Sequence, residues 1–85
     1  MEINVNFVLP NDTNVEAKLP GETIVEDALE QLVENGLVAR LEAGQEWCVA
    51  FKESGKLVDI ARTMDENGIT DGTALRVAQK GQAGA

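Results

Sequence analysis

The chain has no histidine and no tyrosine, and it contains a single cysteine, Cys48. Histidine is the side chain that most often transfers protons near neutral pH, so its absence argues against an acid–base enzyme. Cys48 has no histidine to activate it as a nucleophile and no second cysteine with which to form a disulfide. One cysteine without histidine also excludes an ordinary zinc site. We therefore predict a non-catalytic protein that holds no metal ion and no cofactor.

Basic residues are scarce: seven Lys and Arg stand against fifteen Asp and Glu, which gives a net charge of -8. Nucleic-acid binding needs clustered cations for phosphate contacts, and docking on anionic lipid needs the same charge sign. Both classes are therefore disfavoured. An acidic surface permits a basic protein partner, and solubility alone explains it equally well.

Long apolar runs are also missing, since no stretch approaches the ~20 residues that span a bilayer. The start, Met1-Glu2-Ile3, lacks the basic character of a secretion signal. A chain of 85 residues has room for one domain with one modest core. We expect a cytoplasmic protein that is not inserted in a membrane.

The first third of the chain predicts a hairpin followed by a helix. Apolar residues alternate over residues 3–9 and again over 15–19, with a turn at Pro10-Asn11-Asp12 between them. Thr23 with Glu26 three residues later is a capping-box pattern, which predicts a helix from Ile24. Asn35-Gly36 predicts its end. The apolar stripe of this helix consists of Ile24, Val25, Ala28, Leu29, Leu32 and Val33.

The remainder predicts three more strands. Alternation over residues 47–51 indicates the third strand, and a turn at Glu53-Ser54-Gly55 leads to a short strand around Leu57 and Val58. Asp71-Gly72 then precedes a final strand from residue 73 to about 79. The order predicts an α+β fold: a mixed sheet with one helix packed across one face. The last strand is expected in the centre, parallel to the first.

The segment from Thr63 to Val77 contains a core-filling apolar residue, a turn, an isoleucine, a second turn and Leu75-x-Val77. This pattern resembles the ubiquitin-like β-grasp superfamily. Within it, the segment from Asn67 to Gly72 is most similar to small bacterial ubiquitin-like proteins, including those found with type VII secretion systems. The resemblance implies a domain at residues 1–79 and a flexible tail at 80–85. It implies no catalytic residue.

One branch of this superfamily consists of protein modifiers that present a thin terminal tail to activating enzymes. Applied to this chain, the resemblance implies a conjugation tail of Gly81, Gln82, Ala83 and Gly84, with Gly84 reactive after Ala85 is trimmed. The partners would be activating, conjugating and processing enzymes. The sequence departs from the di-glycine end of the modifiers, because Ala83 stands where a glycine is expected. A tail without function is the simpler interpretation.

The other branch consists of stand-alone adaptors, whose partners here would be components of a secretion machine. Strand alternation places one side of the sheet away from the helix, and the resemblance makes that side the docking surface. The predicted face contains Val8, Cys48, Ala50, Arg76 and Ala78. Small residues that merely fit a half-exposed sheet are the structural alternative. A modifier is the preferred prediction, and an adaptor is the alternative.

Overall fold

A computed structural model describes residues 1–81 of the chain. Four strands, one α-helix and a single 3-10 turn form this part of the protein. In chain order they are β1 (Glu2–Val8), β2 (Asn14–Pro20), α1 (Val25–Glu34), β3 (Gln45–Phe51), the 3-10 turn Asp65–Asn67, and β4 (Thr73–Gly81).

The four strands form one mixed sheet in the order β2-β1-β4-β3. β1 and β2 form the predicted antiparallel hairpin, in which Phe7 faces Val15. β4 runs parallel to β1, with Leu75 beside Phe7, and antiparallel to β3, with Val77 opposite Val49. The predicted central position of the last strand is therefore confirmed.

The core lies on one side of this sheet, beneath α1. Alternate residues of every strand point towards the helix, and the buried helix residues belong to the same apolar cluster. Two buried residues of the long connection before β4, Met64 and Ile69, belong to the same core cluster. The buried helix positions are Val25, Ala28, Leu29 and Leu32. The prediction of one helix packed across one face of the sheet is confirmed.

The start of α1 differs from the prediction. The helix begins at Val25, its N-cap residue is Ile24, and no side chain caps it. The N–H of Val25 instead donates to the carbonyl of Arg62, and the N–H of Glu26 donates to the carbonyl of Ile60, both at 3.0 Å. Backbone carbonyls from a distant loop thus replace the predicted capping box. Ile24 is 38% exposed, so it does not belong to the buried stripe.

The end of α1 follows the prediction. Gly36 has a left-handed φ of 73°, a conformation that glycine adopts without a steric penalty. Its N–H donates to the carbonyl of Val33, and the N–H of Leu37 donates to the carbonyl of Leu32. These two bonds form a Schellman motif, which satisfies carbonyls that the helix leaves free.

The predicted short strand at Leu57 and Val58 is reduced to a single bridge between Leu57 and Ala50. After the turn at residues 52–54 the chain pairs with the end of β3 and then leaves it. Val58 donates its N–H to the carbonyl of Val49, whereas the carbonyl of Ile60 already caps α1. Because Ile60 is bonded to the start of α1, the chain leaves the edge of β3 after Val58, and no strand forms.

The final strand is longer than predicted. β4 continues to Gly81, where Lys80 pairs with Glu46 and Gly81 with Gln45. The strand thus continues two residues beyond the expected end near Gln79, where β3 supplies its partners. Residues 82–85 of the expected tail lie outside the described part of the chain.

Candidate protein-interaction face

The side of the sheet opposite α1 has no element packed over it within residues 1–81, and we call it the open face. Strand register decides its membership, because residues paired across strands point to the same side. Ala50 lies opposite Arg76, and Cys48 lies opposite Ala78. Val8 lies beside Arg76 in the parallel pair. The structure therefore brings all five predicted residues to one side of the sheet.

Val8 is less accessible than the prediction requires. Its side chain is only 4% exposed, although it is absent from the core cluster under the helix. Arg76 Nη1 and Asp12 Oδ1, in the turn after β1, lie 3.8 Å apart. The Arg76 side chain therefore reaches across β1 at Val8. The prediction that Val8 is available to a partner is therefore corrected: Val8 lies on the open face but is buried there.

Leu57 is the residue of this face that sequence reasoning missed. It is 70% exposed, and its bridge to Ala50 places its side chain on the same side of the sheet. Its aliphatic side chain thus extends the apolar surface formed by the half-buried Ala50 and its neighbours. The available signal was the adjacent apolar pair Leu57-Val58, because strand alternation turns one of two successive side chains away from the core.

The open face combines small apolar side chains with a few charges. Cys48, Ala50 and Ala78 are half-buried and leave a shallow floor between the exposed Leu57 and the exposed Arg76. Lys80 lies at the far end of this side, paired in register with Glu46. The opposite side of the molecule differs, since α1 carries Glu26, Asp27, Glu30 and Glu34 and no basic residue.

The residues expected to act as a conjugation tail are only partly described. Gly81 is exposed and is the last residue of β4, paired with Gln45. Gln82, Ala83 and Gly84 lie outside the described residues. The use of the tail therefore stays a prediction.

Two general features of the described chain bear on chemistry. Within residues 1–81, no three side chains of the His, Cys, Asp and Glu types are grouped as a metal site requires. The same residues contain no helix of the length and apolar character needed to cross a bilayer. The open face contains no histidine and one free cysteine, Cys48.

Comparison with known proteins bears on the fold. No protein-family model matches the sequence, and no curated protein matches it. Among solved structures, the ubiquitin-like domain of Plasmodium falciparum Dsk2 superposes with a TM-score of 0.72, covering 94% of this chain and 100% of that one at 21% identity. The fold is the ubiquitin-like β-grasp.

Two further β-grasp structures extend this likeness. A de novo design based on ubiquitin gives a TM-score of 0.75 at 15% identity, covering 99% of this chain and 95% of that one. The EccD5 ubiquitin-like domain from Mycobacterium xenopi gives 0.66 at 19% identity, covering 98% and 99%. At such identities the likeness concerns the ubiquitin-like β-grasp alone, and function has to be argued from this chain's own surfaces.

Proposed function

We propose that this protein is a non-catalytic interaction domain that binds a partner protein through the open face. The observation that supports the proposal is Leu57, a large aliphatic side chain that is 70% exposed beside Ala50. A partner that covers this exposed aliphatic group and the half-buried apolar floor beside it lowers the free energy of the complex. The gain is roughly 25 cal/mol per Å² of apolar surface removed from water. The proposed location is cytoplasmic, as the sequence predicts.

The shape of the face defines the chemistry of the partner. Because Cys48, Ala50 and Ala78 are small, they leave room for a large apolar side chain of the partner above the floor. Arg76 is exposed, and its ion pair within residues 1–81 joins Nη1 to Oδ1 of the exposed Asp12 at the long distance of 3.8 Å. A carboxylate on the partner can replace Asp12 at low cost, since exposed ion pairs contribute little.

The proposed partner is a component of a larger assembly, and a secretion machine is the specific version. The fold is shared with the EccD5 ubiquitin-like domain from Mycobacterium xenopi, which supports this version by analogy of fold alone. In this version the protein acts by contact only, and no covalent bond forms between it and its partner.

Site-specific photocrosslinking in cells tests the proposal. A photoreactive amino acid at Leu57 should give a discrete adduct, whereas the same amino acid at Gln31, on the helix side, should not. Ala50→Arg and Ala78→Glu should each remove the adduct, because they place a long or charged side chain on the apolar floor. Gln31→Arg is the matched control and should leave the adduct intact. Adducts from Gln31 equal to those from Leu57 would contradict the proposal.

The modifier function is a second proposal, supported by the exposed position of Lys80 and Gly81 at the end of β4. In this version Gly84 becomes the reactive end once Ala85 is removed, and activating, conjugating and processing enzymes are the partners. Incubation with ATP and the cognate enzymes should give an adduct that is lost on deletion of residues 81–85. The two proposals separate cleanly, because that deletion should leave the Leu57 crosslink unchanged if the open face acts alone.

A further inference from the structure

A second surface lies at the outer edge of β3, on the helix side of the sheet and away from the open face. It is a cavity of about 330 Å³ between the last turns of α1, the loop that follows the helix, and the first half of β3. Its lining consists of Glu30, Val33, Glu34, Arg40, Leu41 and Trp47.

The backbone of β3 is unpaired beside this cavity. The carbonyl of Val49 accepts the N–H of Val58, and the N–H of Phe51 donates to the carbonyl of Lys56, so these two residues turn their backbone groups away from β4. Because direction alternates along a strand, Trp47 turns its backbone groups the same way. Neither its N–H nor its carbonyl has a hydrogen-bond partner within residues 1–81.

The edge of β3 is therefore paired at both ends but not between them: at its start the N–H of Gln45 donates to the carbonyl of Glu42, in the loop before the strand. Residues 56–58 pair with its second half, and the chain then turns away to α1, where the carbonyl of Ile60 accepts a bond from Glu26. The first half, around Trp47, keeps a free donor and a free acceptor. An uncovered strand edge of this kind is a template for another extended segment.

The cavity beside this edge has an apolar floor and an acidic rim. Trp47 is 8% exposed, and the half-buried Val33 and Leu41 pack against the core. Glu30 and Glu34 are four residues apart on α1 and so lie on one side of the helix. Arg40 is the one cation of the lining. Within residues 1–81 none of these three charged groups makes an ion pair within 4.0 Å.

We propose that the β3 edge at Trp47 binds an extended peptide as an added strand, with one lysine or arginine side chain of the peptide in the cavity. Alternate side chains of the added strand point to the helix side, so one of them enters the cavity. Its aliphatic stem contacts Trp47 and Val33, while its cationic end lies between Glu30 and Glu34. The net charge of -8 favours such a partner at long range. This site is independent of the open face.

The probe for this proposal is a displayed library of random heptapeptides, selected on the full chain. The expected peptides are rich in β-branched residues and share a lysine or arginine at one position. The double variant Glu30→Gln, Glu34→Gln should lose that basic preference and bind the best peptide about fivefold more weakly, as expected for two exposed ion pairs. The matched double variant Glu26→Gln, Asp27→Asn removes two charges from the same helix and should bind normally.

Arg40→Gln should tighten binding about twofold, because it removes the one repelling cation.

Two further measurements separate strand addition from simple charge attraction. Nuclear magnetic resonance should show the largest shifts at the amides of Trp47 and Val49, which lie on the β3 edge. A peptide of the same sequence with methylated backbone nitrogens should not bind, because methylation removes the donors that a ladder needs. Absence of any enriched peptide, shifts confined to the open face or to β2, or equal binding of the methylated peptide would each overturn the proposal.

Discussion

Thr23–Glu26 and Thr63–Glu66 have the same Thr-x-x-Glu pattern, and the two segments fold differently. At the second, the N–H of Glu66 donates to the Thr63 hydroxyl and the N–H of Thr63 donates to the Glu66 carboxylate, both at 3.0 Å. This is a complete capping box. At the first, no side chain caps the helix, because carbonyls of Ile60 and Arg62 accept the N–H groups that a cap would serve.

In this chain the capping pattern forms its bonds at Thr63, whereas at Thr23 distant backbone carbonyls accept the N–H groups instead. The two segments also depend on each other. Thr63 bridges Ile24, and the N–H of Met64 donates to the carbonyl of Thr23. Asn67 holds the intervening loop through bonds with the backbone of Asp59 and Thr63. The capping box therefore stabilises the loop whose carbonyls cap the helix.

The largest expected effect comes from Met64, which anchors both segments in the core. Met64 is fully buried, so Met64→Ala leaves a cavity and should lower the free energy of unfolding by about 2–5 kcal/mol. Urea unfolding followed by Trp47 fluorescence measures the change. Leu57→Ala truncates an exposed apolar residue and is the control, with an expected cost below about 0.5 kcal/mol. Equal costs for the two variants would show that Met64 is not an anchor.

A smaller effect separates the two threonines. Thr63→Ala removes the hydroxyl that accepts from Glu66 and should cost about 1 kcal/mol in the free energy of unfolding. Thr23→Ala should cost less than about 0.5 kcal/mol, since no side chain caps α1. The same urea experiment ranks both variants. A larger cost at Thr23 would mean that the pattern at the start of α1 is used after all.

The smallest effect is a dependence on pH at Glu66. The backbone N–H of Thr63, together with the Thr63 hydroxyl, holds the pKa of the Glu66 carboxyl below its ordinary value of 4.5. A lowered folded pKa means that the carboxylate's contribution to stability is complete above pH 4.5, the ordinary value, and is lost as pH falls through the lowered pKa. Glu66→Gln should therefore be less stable than the parent at pH 6, and the gap should narrow in acid. A gap that stays constant with pH would contradict this origin.

Much of the fold could be predicted because its signals are local. Alternation identified the strands, and the Asn35-Gly36 pair identified the end of α1, where Gly36 has the required left-handed backbone. The central position of β4 followed from the order of elements and from the resemblance. These features depend on residues close in sequence or on a shared topology.

The errors arose where distant segments compete. Thr23 did not cap α1 because Arg62 lies there, and Leu57 did not join a strand because Ile60 is held by the helix. Val8 was expected to be exposed, and the Arg76 side chain that reaches across it comes from the other end of the chain. The strand pattern correctly identified the side of each residue on the sheet. It could not predict how much of each side chain a neighbour covers.

The parallel pairing of the first and last strands has a consequence for how the protein is made. Val5 lies beside Thr73, and Val8 beside Arg76, although nearly the whole chain separates them. A nascent polypeptide therefore lacks the middle of its sheet until β4 has been synthesised, and closing so long a loop costs entropy and slows folding. Until the ribosome releases β4, the apolar side of the first hairpin has no partner strand to adjoin.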